Sequence, residues 1–142
     1  MSLRILSADE RLAEAQGKTT LAVFGPSGAG KTTLLTTMAE DKTVCVDFEA
    51  GLKSVQHWRG DSLPVRRFVD AVDIACLIGG ANPAAQPDEH FSEAHYAHLR
   101  GQHPELAARL DAKSIVFVDS LTDLTPQALV GATTRPEALS QT

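Results

Sequence analysis

The sequence predicts an α/β fold in which a parallel β-sheet is covered by helices on both faces. Three short, mostly apolar runs have the length of buried strands: residues 20–24, 43–48 and 114–119. A further short strand is predicted at residues 64–69. Helical patterns occupy the segments between and around these strands: residues 31–40, 71–78, 89–100 and 104–110. Continuous apolar strands that alternate with helices are typical of a parallel sheet buried on both faces.

Local signals mark the ends of several of these elements. Ser7 and Glu10 have the spacing of a capping box, which predicts a helix over residues 7–16. Gly25 and Pro26 end the first apolar run. Pro104 opens the last helix, because proline is favoured in the first helical turn.

The composition is that of one ordinary globular domain. The chain has 142 residues, of which 43% are apolar and 22% are charged, so we expect a single domain over residues 1–142. The net charge of -5 gives no whole-chain signature of nucleic-acid binding. No apolar run approaches the roughly 20 residues of a membrane span, and residues 1–10 carry no secretion signal. We therefore predict a cytoplasmic protein whose Cys45 and Cys76 are buried thiols.

A phosphate-binding motif follows the first predicted strand. Residues 25–32 match GxxxxGK[ST] in full and lie between a strand and a helix, where the motif functions. Glycines let backbone N–H groups converge on phosphate oxygens, and the helix N-terminus adds partial positive charge. We predict that ATP binds to Gly25, Pro26, Ser27, Gly28, Ala29, Gly30, Lys31, Thr32 and Thr33. Lys31 would bridge the β- and γ-phosphates, and the Thr32 hydroxyl would ligate Mg²⁺.

Two acidic residues at strand ends complete the predicted site. Asp119 ends the most apolar strand, where a carboxylate commonly orients Mg²⁺. The next residue is Ser120 rather than glutamate, so a group that orients the attacking water must come from elsewhere. Glu49, at the end of the second strand, is the predicted catalytic base.

These residues resemble the RecA-type recombinase ATPase core. That family places its catalytic glutamate on the strand after the phosphate-loop helix and a Val-Asp-Ser triplet at its Mg²⁺ aspartate, which residues 46–50 and 118–120 match. The whole chain resembles a phage or prophage nucleotide-binding protein, which is an AAA-type ATP-binding protein built on that core. This resemblance depends on the phosphate loop and on residues 47–51, 94–96 and 117–120. The resemblance implies a RecA-like, Mg²⁺-dependent ATPase that acts in recombination or single-strand annealing. It also implies single-stranded DNA as a partner and a homo-oligomeric assembly.

The same resemblance predicts that the fold is incomplete at its C-terminus. RecA-type cores insert a further strand between the phosphate-loop strand and the Asp119 strand, and residues 120–142 contain no β-rich run. We expect a sheet with exposed ladder edges, marginal stability and impaired ATP hydrolysis.

Other classes of protein use similar loops. Transporter-type ATPases carry an LSGGQ helix and a glutamate after the Mg²⁺ aspartate, and this sequence has neither. A nucleoside-monophosphate kinase would need an arginine-rich lid, whereas only Arg66 and Arg67 are adjacent. A non-catalytic nucleotide switch or loader would need the phosphate loop but not Glu49. Both of these last alternatives stay open at the level of the sequence.

Overall fold

A computed structural model describes residues 7–10, 19–122, 125, 126 and 128. The chain divides into two compact units, residues 1–31 and residues 32–142, and each is described by itself. In the described residues, the second unit contains strands β1 (Thr43–Asp47), β2 (Asp61–Pro64) and β3 (Ile115–Asp119). It also contains helices α1 (Phe68–Gly79), α2 (Glu93–Gln102) and α3 (Pro104–Asp111), with two 3₁₀ helices, Thr32–Thr37 and Gly51–Val55.

The three strands form a parallel sheet in the order β2-β1-β3. All five residues of β1 are buried, as expected for a central strand rich in valine and threonine. Its side chains alternate between two layers. Val44 packs with the α-helices on one face, whereas Cys45 packs with the 3₁₀ helices on the other. The predicted parallel α/β sheet is therefore confirmed.

The predicted cover on both faces holds for β1 but is wrong for β3. Val116 and Val118 are 44% and 45% exposed on the described surface. The reason is the placement of the α-helices, whose apolar cluster includes Val44 of β1 and Leu63 of β2. Beside β3 this layer leaves a cavity of about 260 Å³ next to Val116.

The expected strand at residues 20–24 is wrong. Residues 19–26 form no regular secondary structure, and Leu21 and Phe24 are 78% and 91% exposed. An apolar run becomes a strand only where a neighbouring strand satisfies its N–H and C=O groups. None of the ladders of the described residues includes this run.

Further boundaries differ from the prediction, among them the start of α2, which lies at Glu93 rather than at residue 89. The segment predicted as a helix over residues 31–40 is a 3₁₀ helix over Thr32–Thr37, where the hydroxyls of Thr36 and Thr37 bond to carbonyls three residues back. The strand predicted at residues 64–69 is wrong, because β2 covers Asp61–Pro64 and the last bond to β1 comes from the Val65 N–H, which donates to the Asp47 carbonyl at 2.9 Å.

The helices follow their local signals. Ser7 and Glu10 make both reciprocal bonds of the capping box, at 3.2 and 2.8 Å, and the rest of the helix predicted over residues 7–16 lies outside the described residues. The Ser92 hydroxyl caps α2 by accepting from the His95 N–H at 3.1 Å. Pro104 begins α3 as predicted. In the described parts of the chain, no helix combines the length and hydropathy needed to cross a bilayer.

Candidate functional site

The carboxyl ends of β1 and β3 bring two buried acidic residues together. Parallel register pairs Asp47 with Asp119, and their side chains and backbones are only 5% and 4% exposed. The ladder continues one residue further, because the Phe48 N–H donates to the Asp119 carbonyl at 2.7 Å. Carboxyl ends of parallel strands are where open α/β sheets bind their ligands.

Thr32, the last residue of the phosphate-loop motif, is bonded to this edge. Its hydroxyl donates to Asp119 Oδ2 at 2.7 Å, across 87 residues of sequence. A hydroxyl has one proton and two lone pairs, so the oxygen of Thr32 can still accept or coordinate a cation. The phosphate-loop helix and β3 are thereby joined at the point where the sequence predicts Mg²⁺.

Glu49 lies in the turn that follows β1. One oxygen of its exposed carboxylate accepts a hydrogen bond from the Ser120 hydroxyl. The turn contains Ala50 at φ 56°, a left-handed conformation, and the Gly51 N–H donates to Asp47 Oδ1 at 3.3 Å. A Cβ added at Gly51 would lie 3.5 Å from Asp119 Oδ2, so the turn passes directly beside that carboxylate.

Arg66 is a member of this cluster that the sequence prediction did not include. Its Nη1 donates to the Asp47 carbonyl at 2.6 Å and to the Val65 carbonyl at 2.8 Å. Its Nη2 lies 3.6 Å from Asp47 Oδ2, with about half of the side chain exposed. A positional signal existed, because Arg66 follows a strand next to β1 and neighbouring parallel strands end at the same edge.

The buried carboxylates make the sheet edge electronegative. The pKa of the Cys45 thiol is raised to about 12, first by burial and then by the charges of Asp119 and Asp47. Hard oxygen donors in a negative environment suit Mg²⁺, and here they are the carboxylate of Asp119 and the hydroxyl of Thr32. These two residues therefore fit a magnesium ion.

The phosphate loop, in the other unit, is a tight turn. Gly28 and Gly30 have φ values of 78° and 85°, which side chains rarely adopt, and the Ala29 N–H donates to the Pro26 carbonyl at 3.2 Å. The Lys31 ammonium donates to the carbonyls of Gly25 and Pro26, both at 2.8 Å. An ammonium has three N–H donors, so one remains for a phosphate oxygen.

A second polar cluster lies between α1, α2 and the loop before α2. The ligand atoms of Asp73, His90 and His95 all lie within 4.8 Å of one another. His95 Nδ1 accepts the Phe91 N–H at 3.2 Å, so the proton of this ring is on Nε2, which donates to Asp73 Oδ1 at 3.1 Å. Both ring nitrogens of His95 are used in holding α2 to α1, which leaves neither free for a metal.

The parallel α/β sheet, the GxxxxGK[ST] loop and the acidic strand end define the class of P-loop nucleotide-binding proteins. A family model described as an AAA domain matches residues 17–142, and the chain belongs to this family of P-loop ATPases. Searches of curated proteins and of solved structures returned no match to the chain.

Proposed function

We propose that this AAA domain, over residues 1–142, binds ATP with Mg²⁺ and hydrolyses it to ADP and phosphate, at the impaired rate that the sequence predicts. The hydrogen bond between Thr32 and Asp119 is the observation that carries this proposal. It joins the end of the phosphate-loop motif to an acidic strand end. Two residues that lie 87 positions apart in sequence have a low probability of making such a contact by chance. Membership of the AAA domain family supports the same conclusion.

In the proposed site, residues 25–33 surround the phosphates. Gly28 and Gly30 give the loop the left-handed turns that direct N–H groups inward. Lys31 neutralises charge on the β- and γ-phosphates and exchanges its present bonds to the loop carbonyls for phosphate oxygens. Thr33 and Ser27 are polar and exposed and contribute further donors.

Thr32 and Asp119 would hold the magnesium ion. When bound, Mg²⁺ supplies charge neutralisation to the phosphates of ATP. Asp119 keeps the Thr32 hydroxyl proton turned toward itself, so a lone pair of that oxygen faces away from the carboxylate. Burial of Asp119 keeps competing water from this contact.

Glu49 is the proposed catalytic base. Its turn lies beside Asp119, and one carboxylate oxygen accepts from Ser120 while the other is left for a water molecule. By accepting a hydrogen bond from that water, Glu49 would orient it toward the γ-phosphate and receive its proton. The water oxygen then forms a bond to the γ-phosphorus while the bond between that phosphorus and the β–γ bridging oxygen breaks, which releases ADP. A carboxylate in this role commonly contributes about 10²–10⁴-fold to the rate.

The test compares ATP binding with phosphate release. Lys31→Ala should weaken ATP binding strongly, with Lys42→Ala, an exposed lysine outside the loop, as the matched control. Glu49→Gln should bind ATP as the parent does but lose at least about 100-fold in kcat. Glu93→Gln, on the exposed face of α2, is its control.

The results decide between the proposed function and its alternatives. Unchanged hydrolysis in Glu49→Gln would overturn the role of this residue as base. Binding by the parent with no hydrolysis would favour a non-catalytic switch or loader. Two contacts argue against a nucleoside-monophosphate kinase: Arg66 is bonded to Asp47, and Arg67 makes an ion pair with Asp70.

We further propose that the domain has a RecA-type core of phage or prophage origin and acts in recombination or single-strand annealing. Glu49 lies in the turn directly after β1, the strand that follows the phosphate-loop segment and pairs with β3, and this placement supports the RecA-type assignment. Single-stranded DNA and further copies of the chain are the proposed partners. ATP-dependent binding of an oligonucleotide, measured over a range of salt concentrations together with the mass of the complex in solution, tests both partners.

A further inference from the structure

We infer that Ser120 is a positioning residue for Glu49, and this inference rests on the proposed ATPase function. The Ser120 hydroxyl donates to Oε1 of the Glu49 carboxylate, 71 residues away in sequence. No role follows for Ser120 from the phosphate-loop motif or from the predicted Mg²⁺ site. The contact fixes the carboxylate that is proposed to orient water.

The contact extends the backbone ladder into side chains. Phe48 donates its N–H to the carbonyl of Asp119, and the residue that follows each of these makes the next cross-strand bond. Glu49 and Ser120 are therefore linked at the first position beyond the sheet. Because Asp119 also bonds to Thr32, two successive residues, the last of β3 and the one after it, contact the phosphate-loop helix and the proposed base.

The backbone of Glu49 is already held from the other side. Asp47 Oδ1 accepts the Gly51 N–H and so closes the turn, while Arg66 donates to the Asp47 carbonyl. What this leaves free is the side chain of Glu49, an exposed group with three rotatable bonds. The hydroxyl of Ser120 restricts those bonds.

The chemistry of the contact favours water orientation. A hydrogen bond from a hydroxyl to a carboxylate is charge-assisted and directional. It occupies one oxygen and leaves the other to accept from water. A misplaced catalytic group can cost about 10²-fold in rate, so an anchored carboxylate should be markedly more effective than a freely rotating one.

The first experiment measures kcat, KM and ATP affinity for Ser120→Ala in the full chain. We expect kcat to fall about tenfold or more while the Kd for ATP stays within about twofold of the parent's. Ser120→Thr, which keeps a hydroxyl, should recover most of the rate. Ser114→Ala, an exposed serine just before β3 and at its opposite end, is the matched control.

A double variant separates positioning from an independent effect. If Ser120 acts through Glu49, Ser120→Ala should cause no further loss in a Glu49→Gln background. An equal loss in both backgrounds would overturn the inference, as would unchanged kcat in Ser120→Ala alone. Both of these results leave the proposed ATPase function intact.

A second measurement does not depend on turnover. In protein labelled with ¹³C at the glutamate carboxyl carbons, the Glu49 resonance is identified by its absence in Glu49→Gln. It should shift in Ser120→Ala and return toward the parent position in Ser120→Thr. If the Glu49 resonance has the same position in Ser120→Ala as in the parent, the contact is overturned. If the resonance shifts in Ser120→Ala but the parent binds ATP without hydrolysing it, the contact stands and the proposed function is overturned instead.

Discussion

Replacing Gly60 by alanine should destabilise the second unit by forcing the Trp58 ring out of its place. A Cβ built at Gly60 would lie 2.1 Å from Cζ2 and 2.4 Å from Cη2 of that ring. Carbon atoms in contact are normally about 3.5–4.0 Å apart, so ring and backbone must separate by well over 1 Å. Trp58 is only 9% exposed and packs with Leu35 and Cys45, which leaves the ring little room to move.

The expected cost follows from this overlap. Overpacking of a core typically costs about 1–3 kcal/mol, and a clash with a rigid indole beside the backbone belongs at the upper end, about 2–3 kcal/mol. With a urea dependence of about 2 kcal/mol per molar, the unfolding midpoint should fall by about 1–1.5 M. Because Trp58 is the single tryptophan of the chain, its fluorescence follows both the unfolding and the ring's displacement.

A matched glycine provides the control. Gly101 lies in α2, and a Cβ added there meets no atom within 4 Å. Gly101→Ala should therefore be neutral or stabilising by up to about 1 kcal/mol, because alanine is the better helix former. A Gly60→Ala protein with the parent's midpoint and the parent's emission spectrum would refute the packing argument.

Three further predictions concern buried or paired polar groups. Thr32→Val should cost about 1.5–3 kcal/mol in urea unfolding without nucleotide, because buried Asp119 loses a hydrogen bond, whereas Thr32→Ser should restore it. The hydrogen bond from Lys113 is the main cause of the lowered pKa of Asp61. The ionised Asp61 carboxylate therefore stabilises the fold at pH values above the ordinary pKa of aspartate, and this stabilisation is lost as the pH falls through the lowered pKa. Asp61→Asn should thus flatten the acid side of a plot of thermal stability against pH; an unchanged slope would contradict this. The pKa of the Cys45 thiol is near 12, so only about one thiol in 10⁴ is ionised at pH 8. Ellman's reagent should therefore react with Cys45 only on unfolding. Rapid labelling of the native protein would contradict this expectation.

The parts of the fold that could be predicted from the sequence depend on local chemistry. The capping box of Ser7 and Glu10 and the opening of α3 at Pro104 each involve residues within one helical turn. The strands at residues 43–47 and 115–119 were recognisable because parallel strands carry continuous apolar side chains. In contrast, residues 20–24 have the same pattern, but a strand also needs a ladder partner, which the pattern does not encode.

The candidate site divides in the same way. Motif logic predicted that Thr32 and Asp119 act together, and the structure bonds their side chains, although what they bind stays a prediction. Glu49 was proposed from its place at a strand end. The hydroxyl of Ser120 and the guanidinium of Arg66 reach this site across 71 and 19 residues, so their contacts depend on tertiary structure. A short sequence pattern contains no signal for them beyond their position after strands.

The pairing of Asp47 with Asp119 means that the register of β1 sets the relative position of these two acidic residues, while the other residues of β1 form part of the core. Side chains along a strand change sides at every step, so a shift of one residue between β1 and β3 would send Asp47 toward the helices and Val46 toward the ligand edge. Conservative swaps deep in β1, such as Val46→Ile, can therefore tilt the two acids relative to each other. Screening for variants that fold but lack the proposed ATPase activity should therefore recover changes in this strand.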